Sequence, residues 1–423
     1  MSSETISEGD QIVIQKAKVL KVVQVRKGRK IWLDRVQFSA DELIGKPFGC
    51  TFEENKGVLV QVSRTGSEDA DNAVEEGKRD NRDLQGDQSN QKITKSEIQE
   101  MRKQGVSGQE IIEQLVENSA TFKKKNTFSQ EKYLKKKKKK RVYQPQFTIM
   151  KPTTRLVADM YYSRGPMRIC NMRPDSLAQI LALGNVRSGN RMMVVESCVG
   201  VLVSAMLERM AGSGLLVDMY SGSAPVHQAC ECFNFTKQHK DILKTFPLDR
   251  VAELHGVEKK KAWEEEREKE GEEEEEEKEE VVEEVKEEVE KEEGAQKKRK
   301  RISPEERDER RIRKAERIKE MKEVLMRADM DGLIVATKFH PTPIVLSLLD
   351  FICPSRPIVV FSQYKEPLLD LYSKLKERGG IILLKLTETW FREYQVLPNR
   401  THPLVNMIAS GGYILTGTTV SQD

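Results

Sequence analysis

Six short apolar runs, spaced by stretches of helical character, leave this chain few architectures other than a sheet with helices packed on it. Arg191-Met192-Met193-Val194-Val195 reads as a buried strand, and the chain continues through Gly200 into a helix from Ser204 to Met210. Leu215-Leu216-Val217-Asp218-Met219 is a second strand. Gly332 to Ala336, Pro357 to Phe361 and Ile381 to Leu384 are three more, and Gly412-Tyr413-Ile414-Leu415 closes the series. Pro367 to Arg378 is a helix ended by Gly379-Gly380. Strands that are apolar throughout must be covered on both faces, so strands alternating with helices imply a doubly wound, Rossmann-type α/β sheet.

The chain ahead of that sheet is of another kind. Gln11-Ile12-Val13-Ile14 and Val22-Val23-Gln24-Val25 read as strands, Arg26-Lys27-Gly28-Arg29 as a turn, and Lys30-Ile31-Trp32-Leu33 as the returning strand. Several short strands in so few residues suggest a small β-barrel over residues 8–62, serving either protein or nucleic-acid contact. Residues 63–92 are polar with almost nothing apolar, a linker. Residues 93–145 form a basic helical segment. Thr94-Lys95-Ser96-Glu97 and Ser107-Gly108-Gln109-Glu110 both fit a capping box. Ile98 and Met101 lie on one apolar stripe, and Ile111, Ile112 and Leu115 on another. The sheet domain is then expected over 146–254 and 303–423, split by an insertion at 255–302.

Charge is distributed unevenly. Glu264 to Glu293 holds 20 Glu and 5 Lys or Arg, a local charge of −15, which leaves +19 for the rest of a chain whose net charge is +4. The surplus points to a polyanionic partner. The acidic tract reads either as a solubilising spacer or as an electrostatic mimic that shields a basic surface until RNA displaces it. The basic maximum is Lys132, Lys135, Lys136, Lys137, Lys138, Lys139, Lys140 and Arg141, with Tyr133 and Tyr143 beside it. Like charges at i, i+4 repel on a helix, so an interior run of this kind is costly without an anion, and phosphate binding by counterion release explains it. Lys297 to Arg301 reads as a nuclear localisation signal or as a basic lead-in to the helix that Ser303-Pro304-Glu305-Glu306 begins. No stretch is long and apolar enough to span a bilayer, and the six cysteines form no disulfide framework, so a soluble protein of a reducing compartment is expected.

The most informative segment is Val194-Val195-Glu196-Ser197-Cys198-Val199-Gly200-Val201-Leu202. A class I methyltransferase has an acid followed by three alternating glycines at this first turn, which let the backbone close tightly around the ligand. Glu196 and Gly200 keep the spacing, but Cys198 and Leu202 replace the other two glycines. A side chain at either is expected to block the cofactor or force another turn. Tyr220-Ser221-Gly222 stands where an acid for ribose hydroxyls belongs, and Ala336-Thr337-Lys338-Phe339 where a further acid is usual. Three losses in one sheet indicate a degenerate methyltransferase-like domain kept for another purpose. An active methyltransferase with a variant turn is the alternative. A zinc site from His227, Cys230, Cys232 and His239 has no common spacing, and no G-x-S-x-G elbow is present.

Several uncommon stretches carry a resemblance. They include Lys132-Tyr133-Leu134 with the lysine run, Tyr161-Tyr162-Ser163-Arg164, Leu177 to Asn185, Phe339-His340-Pro341-Thr342-Pro343, Gln363 to Leu369 and Tyr394 to Pro398. By these the chain resembles the non-catalytic, tRNA-binding subunits of the eukaryotic tRNA (adenine-N1-)-methyltransferase, which modifies the T-loop adenosine at position 58. The resemblance implies an N-terminal barrel joined to a methyltransferase-like domain, in a nuclear heterotetramer with two copies of a catalytic subunit. That partner binds S-adenosylmethionine; this chain binds no cofactor and supplies tRNA surface. Carried over by position, the RNA contacts are Asn81 and Arg82 in the linker, Lys132 and Lys135 to Arg141, and Arg164, Arg168 and Asn171. Lys338 and His340 lie beyond the strand ends, where sheets of this class bind ligand, and are assigned to RNA or to the subunit interface.

Overall fold

The computed structural model describes residues 5–16, 19–33, 36–55, 58–62, 93–104, 108–119, 122, 129–130, 133–134, 146–256, 304–396 and 401–421. They fall into two compact units, Met1–Met160 with Cys232–Asn234, and Tyr161–Glu231 with Phe235–Asp423. The polar linker, the glutamate tract, Lys297 to Arg301, and the proposed contacts Asn81, Arg82, Lys132 and Lys135 to Arg141 lie outside the described residues.

In the first unit the strands are β1 (Gln11–Lys16), β2 (Val19–Gln24), β3 (Lys30–Leu33), β4 (Val36–Ser39), β5 (Thr51–Asn55), β6 (Val58–Val62) and β7 (Phe147–Met150). Five of them form an antiparallel sheet in the order β2-β1-β7-β5-β6, and β3 and β4 form a separate hairpin. The two ladders share one core, in which Ile31, Leu33 and Phe38 of the hairpin pack with Ile12, Ile14, Phe52, Phe147 and Ile149 of the sheet. The rings of Phe38 and Phe147 stack with centroids 5.0 Å apart. The small barrel expected from the sequence thus takes the form of a sheet and a hairpin closed over common apolar side chains.

The sequence placed the start of the second domain at 146. Instead β7 enters the N-terminal sheet between β1 and β5, with Ile14 opposite Ile149 and Phe52 opposite Phe147. The alternation of Phe147 and Ile149 marks a half-buried strand but not the sheet that receives it. Only the tertiary register decides that.

Two helices follow the linker, α1 (Lys95–Gln104) and α2 (Gly108–Glu117). The first capping box forms as the sequence implies. The Thr94 amide donates to Glu97 Oε2 at 2.7 Å, and the Glu97 amide donates to Thr94 Oγ1 at 3.3 Å. Ser107 of the second box is outside the described residues. Ile98, Ile111, Ile112 and Leu115 meet in a small core, with Met101 and Leu134 against it. The predicted stripes therefore face each other, and Leu134 packs against them.

Helix α3 (Thr154–Arg164) begins in the first unit and ends in the second, which contains α4 (Pro174–Leu183), β8 (Arg191–Glu196), α5 (Val201–Met210), β9 (Leu215–Tyr220) and β10 (Leu243–Pro247). After the insertion come α6 (Pro304–Leu325), β11 (Gly332–Ala336), α7 (Pro341–Leu348), β12 (Pro357–Ser362), α8 (Glu366–Arg378), β13 (Ile381–Trp390), β14 (Tyr394–Gln395), β15 (His402–Pro403) and β16 (Ser410–Thr419). The main sheet has seven strands in the order β10-β9-β8-β11-β12-β16-β13. Neighbours from β10 to β12 are parallel, and β16 is antiparallel to both β12 and β13. Every strand read from the sequence is present. The strand missed was β10, whose Leu243, Lys244 and Thr245 are only half-buried and give no apolar run. The chain order reverses between β8 and β11, so the carboxyl end of β8, at Glu196, opens on the crevice where such sheets hold ligands. No helix among the described residues is long and apolar enough to cross a membrane.

Phe147 is 1% exposed. Replacing it with Ala should cost about 3–5 kcal/mol, and loss of the N-terminal sheet in urea unfolding would measure it.

Candidate functional site

The site grows out of the end of β8. Four consecutive buried residues, Met192 to Val195, fix the strand in the sheet centre and deliver Glu196 to the turn. Val199 and Gly200 follow in left-handed conformation, at φ +60° and +86°, and α5 starts at Val201. Gly200 is needed there twice over. Its φ suits glycine, and a Cβ would stand 2.8 Å from the Cα of His227.

Glu196 does not face open space. Its Oε2 accepts from the Leu202 amide at 2.9 Å and from the Val203 amide at 3.4 Å, and so satisfies the first turn of α5. No side chain caps that helix from Gly200, so the strand-end acid does it from six residues upstream. Burial, and then the nearby Asp218 carboxylate, push the Glu196 acid up from an ordinary 4.5 to about 8, against the pull of the Leu202 and Val203 amides. Its second oxygen, Oε1, is buried and has no hydrogen-bond partner among the described residues.

Asp218 lies inside β9, 3% exposed, and holds His227 Nε2 at 2.7 Å. That contact sets a covering segment over the turn. The Ala229 amide donates to the Val199 carbonyl at 3.0 Å, and Ser204 Oγ contacts Cys230 Sγ at 3.2 Å. The backbone of Val226 and His227 therefore rests on Gly200, where the glycine-rich turns of this fold admit a ligand.

The sequence attributed the obstruction to the Cys198 and Leu202 side chains. Both are fully buried. The Cys198 thiol donates to the Ala336 carbonyl at 3.5 Å. Cys170 lies beside it, with Sγ 3.7 Å from the Ser197 carbonyl. Its interaction with Cys198 draws the Cys170 thiol below its ordinary value. The same contact, with burial, raises Cys198 well above its own. What lies on Gly200 is the chain's own backbone at His227, a feature with no signal in the local motif. S-adenosylmethionine does not fit these residues. The acid is engaged in capping α5, the one remaining glycine is covered, and β9 ends at a buried Tyr220 followed by Ser221 and Gly222.

The described surface residues proposed from the sequence gather at one rim. Arg168 Nη2 donates to Gln228 Oε1 at 3.2 Å, and Asn171 Nδ2 donates to Gln363 Oε1 at 2.6 Å. Ser197 and Thr337 share a hydrogen bond of 3.0 Å between their hydroxyls, which ties the β8 turn to the loop bearing the exposed Lys338 and His340. Arg164 ends α3, just before the short turn that carries Arg168. Arg168, Asn171, Lys338 and His340 thus lie about the carboxyl ends of β8, β11 and β12. Gln228, Gln363 and Asp218 were missed, since neutral amides and an acid inside a strand form no motif. The zinc candidates find separate partners: His227 has Asp218, Cys230 has Ser204, and His239 Nδ1 has Thr236 Oγ1 at 2.7 Å.

Fold and turn together define a class I methyltransferase-like protein whose donor turn is closed by its own chain. A SAM-dependent O-methyltransferase from Thermotoga maritima shares the fold, with a TM-score of 0.50 at 11% identity over 100% of this chain and 97% of that one. The chain belongs to the Gcd10p family, whose model matches residues 5–293. A Mus musculus relative named the non-catalytic subunit of tRNA (adenine(58)-N(1))-methyltransferase is 42% identical, over 100% of this chain and 90% of its own length. A Dictyostelium discoideum relative of the same name is 31% identical, over 100% and 80%.

Between about 4.5 and about 8 the folded state keeps a proton on Glu196 that the unfolded chain has lost. That contribution to stability is whole below the lower value and is lost as pH rises through the upper. Glu196→Gln should therefore flatten the fall in melting temperature from pH 5 to pH 8.5 and raise it most at the alkaline end, as thermal unfolding at the two pH values would read.

Proposed function

We propose that this chain is the non-catalytic subunit of a tRNA (adenine-58-N1)-methyltransferase. It binds tRNA and supports a catalytic subunit that binds S-adenosylmethionine, in a nuclear heterotetramer with two copies of each. The carrying observation is the covered turn: His227 lies on Gly200 and Glu196 caps α5, which supports a methyltransferase fold that does not hold the donor. The relatives' names agree, since they describe non-catalytic subunits of that enzyme.

The basic surplus supports the RNA half of the reading. A charge of +19 outside the glutamate tract suits a phosphate backbone, and the lysine run concentrates it. Arg164, Arg168, Asn171, Lys338 and His340 add polar and basic groups at the sheet rim. Contacts of this sort set affinity, while the folded shape of tRNA sets selection. Lys297 to Arg301 supports a nuclear setting.

Three measurements test it. Co-purification should recover a methyltransferase partner, with methyl transfer to tRNA by the mixture and none by this chain alone. Titration of the isolated chain with S-adenosylmethionine should give no binding heat, and saturable binding would overturn the reading. Replacing Lys135 to Lys140 with Gln should weaken tRNA binding and lower its log–log salt slope by up to about 0.9 for each phosphate no longer neutralised. An unchanged slope would remove the run from the RNA surface.

A further inference from the structure

The β3–β4 hairpin presents a surface that the fold does not use. Along β3, Ile31 and Leu33 point into the core while Lys30 and Trp32 point out. Trp32 is 57% exposed, though an indole is among the most costly side chains to leave in water. Its carbonyl is held by Lys21 Nζ at 2.5 Å, which fixes the strand beneath the ring. Among the described residues no cation or second ring covers Trp32. Opposite Trp32 stands Gln37, and opposite Lys30 stands Ser39, so the outer face of this ladder holds no carboxylate.

The turn leading into β3 is cationic and exposed from Arg26 to Lys30. From Val19 to Leu33 the chain has five Lys or Arg and no acid. Asp34, which follows Leu33, lies outside the described residues, and Asp41 is engaged by the Ser39 hydroxyl at 2.8 Å and the Gly28 amide at 3.1 Å, bonds that hold its acid below the usual range. Lys27 pairs with Glu8 at 3.1 Å, and Arg26 donates to Gln24. No described acid pairs with Arg29 or Lys30.

A lone exposed aromatic needs no explanation. An exposed indole on a fixed strand, flanked by cations that no described acid neutralises and by uncharged hydrogen-bonding groups, has the composition of a stacking platform for unpaired nucleotides. The ring takes a base face and the cations take the flanking phosphates. We propose that the outer face of the β3–β4 hairpin, with Trp32 as the stacking ring and Arg29 and Lys30 as phosphate ligands, is an RNA-binding site separate from the lysine run. The site rests on the proposal that the chain binds tRNA, and adds to it a contact with an unpaired base.

The test uses the full chain assembled with its catalytic partner and measures tRNA affinity at several salt concentrations. Trp32→Ala should weaken binding about 5- to 100-fold with little change in salt slope, because it removes stacking but no charge. Trp32→Phe should keep most of the affinity. Arg29→Gln with Lys30→Gln should lower the salt slope by about 1.4, at 0.7 per single-strand phosphate contact. All three altered positions are on the surface, and melting temperatures should match the unaltered protein. If the unaltered complex binds tRNA and these variants match it in affinity and slope, the platform is wrong while the tRNA reading stands. If the unaltered complex does not bind tRNA, both fall. If the charge variants instead loosen the catalytic partner and leave RNA affinity alone, the face is a protein contact and the proposal is overturned.

Discussion

One carboxyl group holds the centre of the sheet domain together. Glu196 ends the strand that is buried on both sides and accepts the free amides of the next helix. Strand and helix are thereby locked to each other through a turn of four residues, two of them left-handed. The same bond removes the acid from the solvent side of the crevice. In a nucleotide-binding sheet the equivalent position faces ligand; here burial and the neighbouring Asp218 favour its neutral form. An acid kept neutral and facing inward is a structural element, and the rest of the site follows from that.

The covering segment depends on a second buried acid. Asp218 has no open access to solvent, so its negative charge requires a partner, and His227 supplies one at 2.7 Å. Anchoring His227 draws the backbone from Val226 to Cys230 down on Gly200, and the Ala229 amide completes the contact by bonding the turn itself. At Gly200 the turn is covered by the main chain of Val226 and His227, which cannot be trimmed by a single side-chain change. At the rim of this end of the sheet, Arg168 and Asn171 are held by Gln228 and Gln363.

The first unit shows the other use of a buried strand. β7 comes from beyond the basic helical segment and inserts at the middle of the N-terminal sheet. Along the chain, the small core of Ile98, Ile111, Ile112 and Leu115, with Leu134 against it, lies between β6 and β7.

Periodicity by itself determined the strands of the main sheet, because an apolar run from Arg191 to Val195 or from Gly332 to Ala336 has no stable place except between two layers. The sequence also determined α1 through its capping box, and the replacement of two glycines in the donor turn. Strand β10 was hidden because an edge strand needs no apolar run, and the destination of β7 because alternation does not name a partner sheet. Only the tertiary structure decided why the donor turn is closed. Cys198 and Leu202 are visible in the sequence and are buried; the backbone that lies on Gly200 comes from His227, held by an acid in the neighbouring strand. Contacts between segments distant along the chain leave no local pattern, so the fact of degeneracy was legible and its physical cause was not.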